Sequence, residues 1–251
     1  MASLQEMVGY LDEELRIGEV PDDPRAHNGL QMESGGEVLR VAAAVDASLP
    51  VVLQAVEAGA ELLVVHHGMF WSGVKPVTGP TYEKFKAAMD AGLAIYSVHI
   101  PLDVHPVLGN NACLVQALAL AEPEPFFEWK GILLGIRGKF AGSRGELTER
   151  VGEILGERPL LCPGGTEAAG MVGVITGATG DEVEAVAACG IDTFLTGEGP
   201  HWSFPAAEEV GLNVLYGGHY ATETFGVRAV GAKLAERFGV EWEFLNHPTG
   251  L

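Results

Sequence analysis

Val64-Val65-His66-His67-Gly68 is the stretch that decides how the chain folds. Before it runs Ala60-Glu61-Leu62-Leu63-Val64-Val65, short, apolar and β-branched at its end. Such a run reads as a central strand of a parallel sheet, buried on both faces. Open α/β sheets carry their functional groups just past the carboxyl ends of these strands. Two adjacent imidazoles at that point are poorly accounted for as core. Neighbouring side chains on a strand point to opposite faces, so one metal ion would hardly take both. Where the strand yields to a loop at Gly68 the alternation relaxes, and each imidazole can face its own ion. The alternative is one His capping a loop and the other a satisfied core residue. Further ligands downstream favour metal.

Strands and helices alternate on both sides of this stretch. A first helix over 3–16 has Ser3 as N-cap and Glu6 three residues later, a capping-box pattern. Pro21-Asp22-Asp23-Pro24 is loop, and Asn28-Gly29-Leu30-Gln31 is a turn signal. A strand over 39–45 precedes a helix over 49–58 capped from Asp46-Ala47-Ser48, and a helix over 81–91 stops at Gly92. A strand over 93–98 leads to His99, and a helix over 111–121 follows. Pro123 and Pro125 mark a join. Beyond it, strands are expected over 132–140, 171–175, 193–196, 213–216 and 240–245, with helices over 146–155, 181–189, 205–210 and 221–238.

The two halves repeat each other. A shift of 131 positions lays Gly59–Trp71 on Gly190–Trp202, Val41 on Val172 and Ala47 on Ala178. The same shift pairs His67 with Glu198, and at a somewhat different shift Gly92-Leu93 falls on Gly211-Leu212, which brings His99 close to His219. The expected fold class is therefore α/β: two related, interwoven units with mainly parallel sheets and right-handed crossovers. The units are expected at 1–122, rejoined by 219–251, and at 123–218, with strand ends from both meeting at one cleft that holds the metal site.

Composition bounds the function. The 251 residues are 47% hydrophobic with a formal charge of −19. That charge argues against nucleic acid and anionic membrane as partners. It leaves room for a local basic pocket. Three cysteines without a Cys-x-x-Cys pair make no disulfide framework, and the amino terminus has no signal-peptide pattern. No apolar run is long enough to cross a membrane. A cytoplasmic location is expected.

Candidate ligands gather in three segments: His66-His67, His99 to Asp103, and His219 to Glu223. His219 and Glu223, four apart at a helix start, share one face. Imidazoles with carboxylates suit divalent zinc, iron or manganese. A carboxylate can bridge two such ions, and the pair activates water.

At this point the chain resembles a known family. His66-His67-Gly68, His99-Ile-Pro-Leu-Asp103, Gly109-Asn110-Asn111-Ala112 and Gly218-His219-Tyr-Ala-Thr-Glu223 look like motifs of the YbgI-type, Nif-three-like proteins. Asn28-Gly29-Leu30-Gln31 and Thr196-Gly197-Glu198 look like two more. The resemblance spans nearly the whole chain. It implies a toroidal homohexamer and a dinuclear metal centre with His66, His67, Asp103, His219 and Glu223 as ligands. Members often carry the label GTP cyclohydrolase I type 2. The resemblance thus implies a hydrolase acting on GTP, with activated water attacking C8 of guanine, opening the imidazole ring and releasing formate. His99 is expected to carry protons or touch substrate, or to orient Asp103. Glu223 is expected to bridge two ions. No Gly-x-x-x-x-Gly-Lys-Ser/Thr motif occurs and lysines are few, so the residues gripping the triphosphate stay unnamed. The alternatives are a phosphoester or small-amide hydrolase, and a metal-binding hexameric scaffold or interaction protein without catalysis.

Overall fold

A computed structural model describes residues 2–251. The chain forms two compact units. One comprises the residues up to Leu108 together with Gly226–His247, the other Gly109–Phe225 with Pro248–Leu251. These bounds differ from those expected at 122/123 and 218/219, for a packing reason. Leu114, Val115 and Leu118 of the helix Asn110–Leu118 pack with Leu147, Val151 and Val172 of the second unit. Val227, Val230 and Leu234 of the terminal helix pack in the first.

The first unit is built on a five-stranded sheet ordered Glu241–Phe244, Arg40–Asp46, Leu62–His67, Ala94–Ser97, Gly29–Met32. The first four strands run parallel and the last is antiparallel. Side-chain alternation splits the core in two. Val41, Ala43, Leu62 and Val64 pack against Leu4, Met7 and Leu11 of the first helix and against Val227 and Val230. Ala42, Ala44, Leu63 and Val65 pack against Val51, Val52 and Ala55 of the helix Leu49–Glu57, and with Ala88 of the helix Pro80–Ala91. The Leu62–His67 strand is therefore buried on both faces along its whole length, as its apolar run requires. Local signals hold: Ser3 and Glu6 form a capping box, and Gly92 ends its helix in the left-handed conformation at φ 67°.

The second unit has a six-stranded sheet ordered Ala121–Trp129, Ile132–Ser143, Ala168–Val174, Thr193–Thr196, Asn213–Tyr216, Leu160–Pro163. Its middle three strands are parallel, and antiparallel strands flank them. Pro123 and Pro125 are not a join. They lie in the edge strand of this sheet, where a missing amide costs no ladder bond, and the register breaks between Ala121 and Glu124.

The internal repeat is visible in the strand registers. Val41 pairs with Leu62 in the first unit and Val172 with Thr193 in the second, the same shift of 131. Leu62 pairs with Ala94, and Thr193 with Asn213. In both units the amide just before the middle strand donates to the first strand: Glu61 N to Arg40 O at 3.1 Å, Asp192 N to Met171 O at 2.9 Å. Among the described residues no helix is long and apolar enough to cross a membrane.

Candidate metal centre

In the first unit the structure brings His66, His67, His99 and Asp103 together. His66 and His67 are the last two residues of their strand and are buried. They occupy opposite faces of the sheet, yet their rings are 4.8 Å apart and tilted by 53°. The expectation that they simply point apart is corrected here. Each ring is held from a different neighbouring strand of the sheet. His66 donates from Nδ1 to the Val98 carbonyl at 3.0 Å, on one side. His67 reaches Asp46 Oδ1 at 2.9 Å, on the other. His99 stands at the amino end of the turn Ile100–Asp103 and brings its ring 4.9 Å from His66 and 5.6 Å from His67. Ligand atoms of these three imidazoles all lie within 4.8 Å of one another. Asp103 ends that turn, buried, with Oδ2 3.5 Å from His66 Nε2. The Trp71 ring lies 4.8 Å from His67 and 4.4 Å from His99.

Two carboxylates that sequence reading assigned to loop and cap chemistry do other work. Ser48 alone caps its helix, with Val51 N donating to its Oγ. Asp46 is left to fix His67. Asp22 accepts from His99 Nδ1 at 2.7 Å, from the Ile100 amide at 2.9 Å and from Asn28 Nδ2 at 2.8 Å. Burial would raise the Asp22 pKa; the hydrogen bonds from His99 and Asn28 outweigh it and hold the carboxyl below its ordinary range. Asn28 Oδ1 also accepts the His99 amide at 2.8 Å. What read as a turn signal at 28–31 therefore positions His99. Gln31, in the same segment, ties Met69 N to the carbonyls of Ala26 and His27.

In the second unit His219 and Glu223 meet as their spacing suggests, although the helix is interrupted. A short helix, His219–Thr222, stops at Glu223, and Thr224–Phe238 begins anew. His219 Nε2 is 3.1 Å from Glu223 Oε2, and its Nδ1 is 2.8 Å from Glu198 Oε1. Burial pulls the His219 pKa down, but hydrogen bonds to Glu223 and Glu198 and their charges push it up to about 9. Glu198, the repeat's counterpart of His67, thus supports an imidazole. Gly177 was not singled out from sequence. Its φ is +73°, and a Cβ there would stand 2.3 Å from Glu223 Oε1. Asn111 of the 109–112 motif is structural: it donates to Leu134 O and accepts from Thr176 N, each at 2.9 Å.

The donor set fits divalent metal. A carbonyl can only accept, so neutral His66 must carry its proton on Nδ1 and present a lone pair at Nε2. Carboxylates impose the same tautomer on His67 and His99, whereas His219 has a carboxylate at each ring nitrogen, Glu198 at Nδ1 and Glu223 at Nε2. Imidazole backed by carboxylate or carbonyl is the usual support of a metal-binding His.

The motifs extend to whole proteins. A family model of Duf34/NIF3 (NGG1p interacting factor 3) matches residues 2–249. The chain belongs to this family. Among its Duf34/NIF3 relatives, the GTP cyclohydrolase 1 type 2 homolog of Deinococcus radiodurans is 44% identical over 248 residues, 98% of this chain and 94% of that protein. The homolog of the same name from Pyrococcus horikoshii is 39% identical, covering 98% of each. The crystal structure of TTHA1606 from Thermus thermophilus superposes over 100% of both chains with TM-score 0.88 and 38% identity. The solved structure of protein ybgI, of unknown function, also covers 100% of both chains, with TM-score 0.92 and 32% identity. The resemblance read from the motifs thus holds for the family and for its α/β fold, and residues that could hold a metal ion are in place.

Proposed function

We propose that this chain is a dinuclear, metal-dependent hydrolase that opens the guanine imidazole ring of GTP and releases formate. The observation that carries the reading is the tautomer lock. His66, His67 and His99 each have Nδ1 held by a carbonyl or carboxylate, His219 lies between Glu198 and Glu223, and the carboxylates of Asp103 and Glu223 are buried. His66, His67, Asp103, His219 and Glu223 are the side chains that would hold two divalent ions of the zinc, iron or manganese class. Such ions supply a water acidified toward neutrality and a polarising charge. Asp22 holds His99 at Nδ1 and leaves Nε2 as the nitrogen that can exchange a proton with a reacting group. Trp71 packs beside these rings. The name shared by the relatives, GTP cyclohydrolase 1 type 2 homolog, supports the substrate. The test is formate release from GTP by metal-supplemented protein. Release above a Glu223→Ala control is expected; none above that control would sink the reading.

A further inference from the structure

The chain holds fifteen lysines and arginines against a net charge of −19, so an uncompensated cation is unusual here. Among the described residues ten of the fifteen pair with carboxylates. Three more, Lys130, Arg228 and Arg237, lie over aromatic rings. The remaining two, Lys75 and Lys84, line the same cavity. Lys84 is half-buried, and its ammonium donates to the neutral carbonyl of Ala47 at 2.8 Å. Burial, and after it the Lys75 charge, pull its pKa down.

Apolar side chains, among them Met69, Phe70, Val74 and Phe85, make up most of the rest of the lining. The cavity is also lined by the hydroxyl residues Ser72 and Thr81. The helix Pro80–Ala91 begins there, twelve residues long, with Gly79 as N-cap and no side chain capping it. Pro80 has no amide and the Tyr82 and Glu83 amides donate to the carbonyls of Thr78 and Gly79, so the end offers the Thr81 amide and the positive end of the helix dipole, with the Glu83 carboxylate in the same turn. The cavity volume is about 250 Å³, below the roughly 300–1,000 Å³ of pockets that take a whole ligand. It suits one part of a larger molecule. The loop after His67 joins it to the imidazoles of the same unit: Trp71 packs on His67 and His99, while its neighbours Phe70 and Ser72 line the cavity.

We propose that this cavity is an oligophosphate subsite, in which Lys75, Lys84 and the Thr81 amide at the start of the Pro80–Ala91 helix bind the phosphate oxygens of a nucleotide. The nucleotide as source rests on the hydrolase reading above; the binding of oligophosphate does not. No phosphate-loop motif is needed, because the cations come from a loop and from the first turns of a helix.

The experiment is calorimetric titration of the full-length, metal-loaded protein with inorganic phosphate, tripolyphosphate and GTP. Wild type, Lys75→Gln, Lys84→Gln, Lys84→Arg and the double Gln variant are compared, with metal content measured on each. Tripolyphosphate affinity is expected to fall about tenfold for each Gln substitution and about a hundredfold for both. Lys84→Arg should stay within a few-fold of wild type, and metal content should be unchanged. GTP losing affinity by the same factors assigns the subsite to the nucleotide's phosphates; tripolyphosphate alone losing it assigns the subsite to free polyphosphate and overturns the nucleotide assignment. Lys75 is exposed, so Lys75→Gln keeps the test independent of folding. Wild type that does not bind tripolyphosphate, or Gln variants that bind it within twofold of wild type, would overturn the proposal. A failure to release formate from GTP would leave this outcome standing and would sink only the hydrolase reading.

Discussion

Replacing Gly68 by Ala tests how the imidazole loop is held. The φ of Gly68 is not in the left-handed region, so the conflict is steric. An added Cβ would stand 2.2 Å from Gln31 Nε2, 2.4 Å from Oε1 and 2.5 Å from Cδ. The Gln31 amide must leave. It then gives up three bonds: its donors to Ala26 O and His27 O, each 3.0 Å, and its acceptor for Met69 N at 2.7 Å. Ala26 and Met69 are buried, so water replaces two of these bonds poorly; the third, to His27 O, is exposed. At a net 0.5–1.5 kcal/mol per bond, the loss is about 3 kcal/mol. That is a large fraction of the stability of an ordinary domain, roughly 5–15 kcal/mol. The assay is urea unfolding of metal-free protein, followed by circular dichroism, for Gly68→Ala, Gln31→Ala and the double variant. Once Gln31 is Ala the added methyl meets no amide, so the double variant should cost little more than Gln31→Ala, with a coupling of about 2 kcal/mol. A Gly68→Ala protein within about 0.5 kcal/mol of wild type, or strictly additive effects, would refute the reasoning.

Two further outcomes follow from the supports of the imidazoles. Asp46→Asn removes the charged acceptor of His67 Nδ1 and should weaken metal affinity about 10- to 100-fold, measured by chelator competition; unchanged affinity would show that Asp46 plays no part. His219, with its pKa pushed up to about 9, stabilises the metal-free fold in its protonated form. That contribution is complete below about pH 6.5, the unfolded value, and is lost as pH rises through about 9. Metal-free wild type should therefore lose melting temperature over this window more steeply than Glu198→Gln, and equal slopes would contradict the assignment.

The sequence carried the central strand because burial on both faces demands a continuous apolar run, and Leu62–Val65 has one. The repeat was readable for the same reason: strand registers preserve the shift that links Val41 to Val172. The ligand segments were readable because strand ends and i,i+4 spacing are local properties. The supports were not. Asp22 and Asp46 sit among Pro, Ser and Asp residues that read as turn and cap chemistry, and they meet their imidazoles across 77 and 21 positions. Pro123 and Pro125 read as a break, because a sequence does not show that a strand will lie at a sheet edge. The pairing of Lys75 with Lys84 depends on which cations lack a carboxylate, and only side-chain positions reveal that. Gly177 stands out only once Glu223 is seen against its backbone.

Metal content on purified wild type, His67→Ala and Glu223→Ala, by mass spectrometry, tests the centre most directly. The account predicts about two divalent ions per wild-type chain, about half of that in His67→Ala, and near zero in Glu223→Ala, since a bridging carboxylate serves both ions. Circular dichroism on the same samples establishes that each is folded. A folded Glu223→Ala protein that keeps the full wild-type complement would contradict the account and reduce the His219–Glu223 contact to an ordinary pair on a helix.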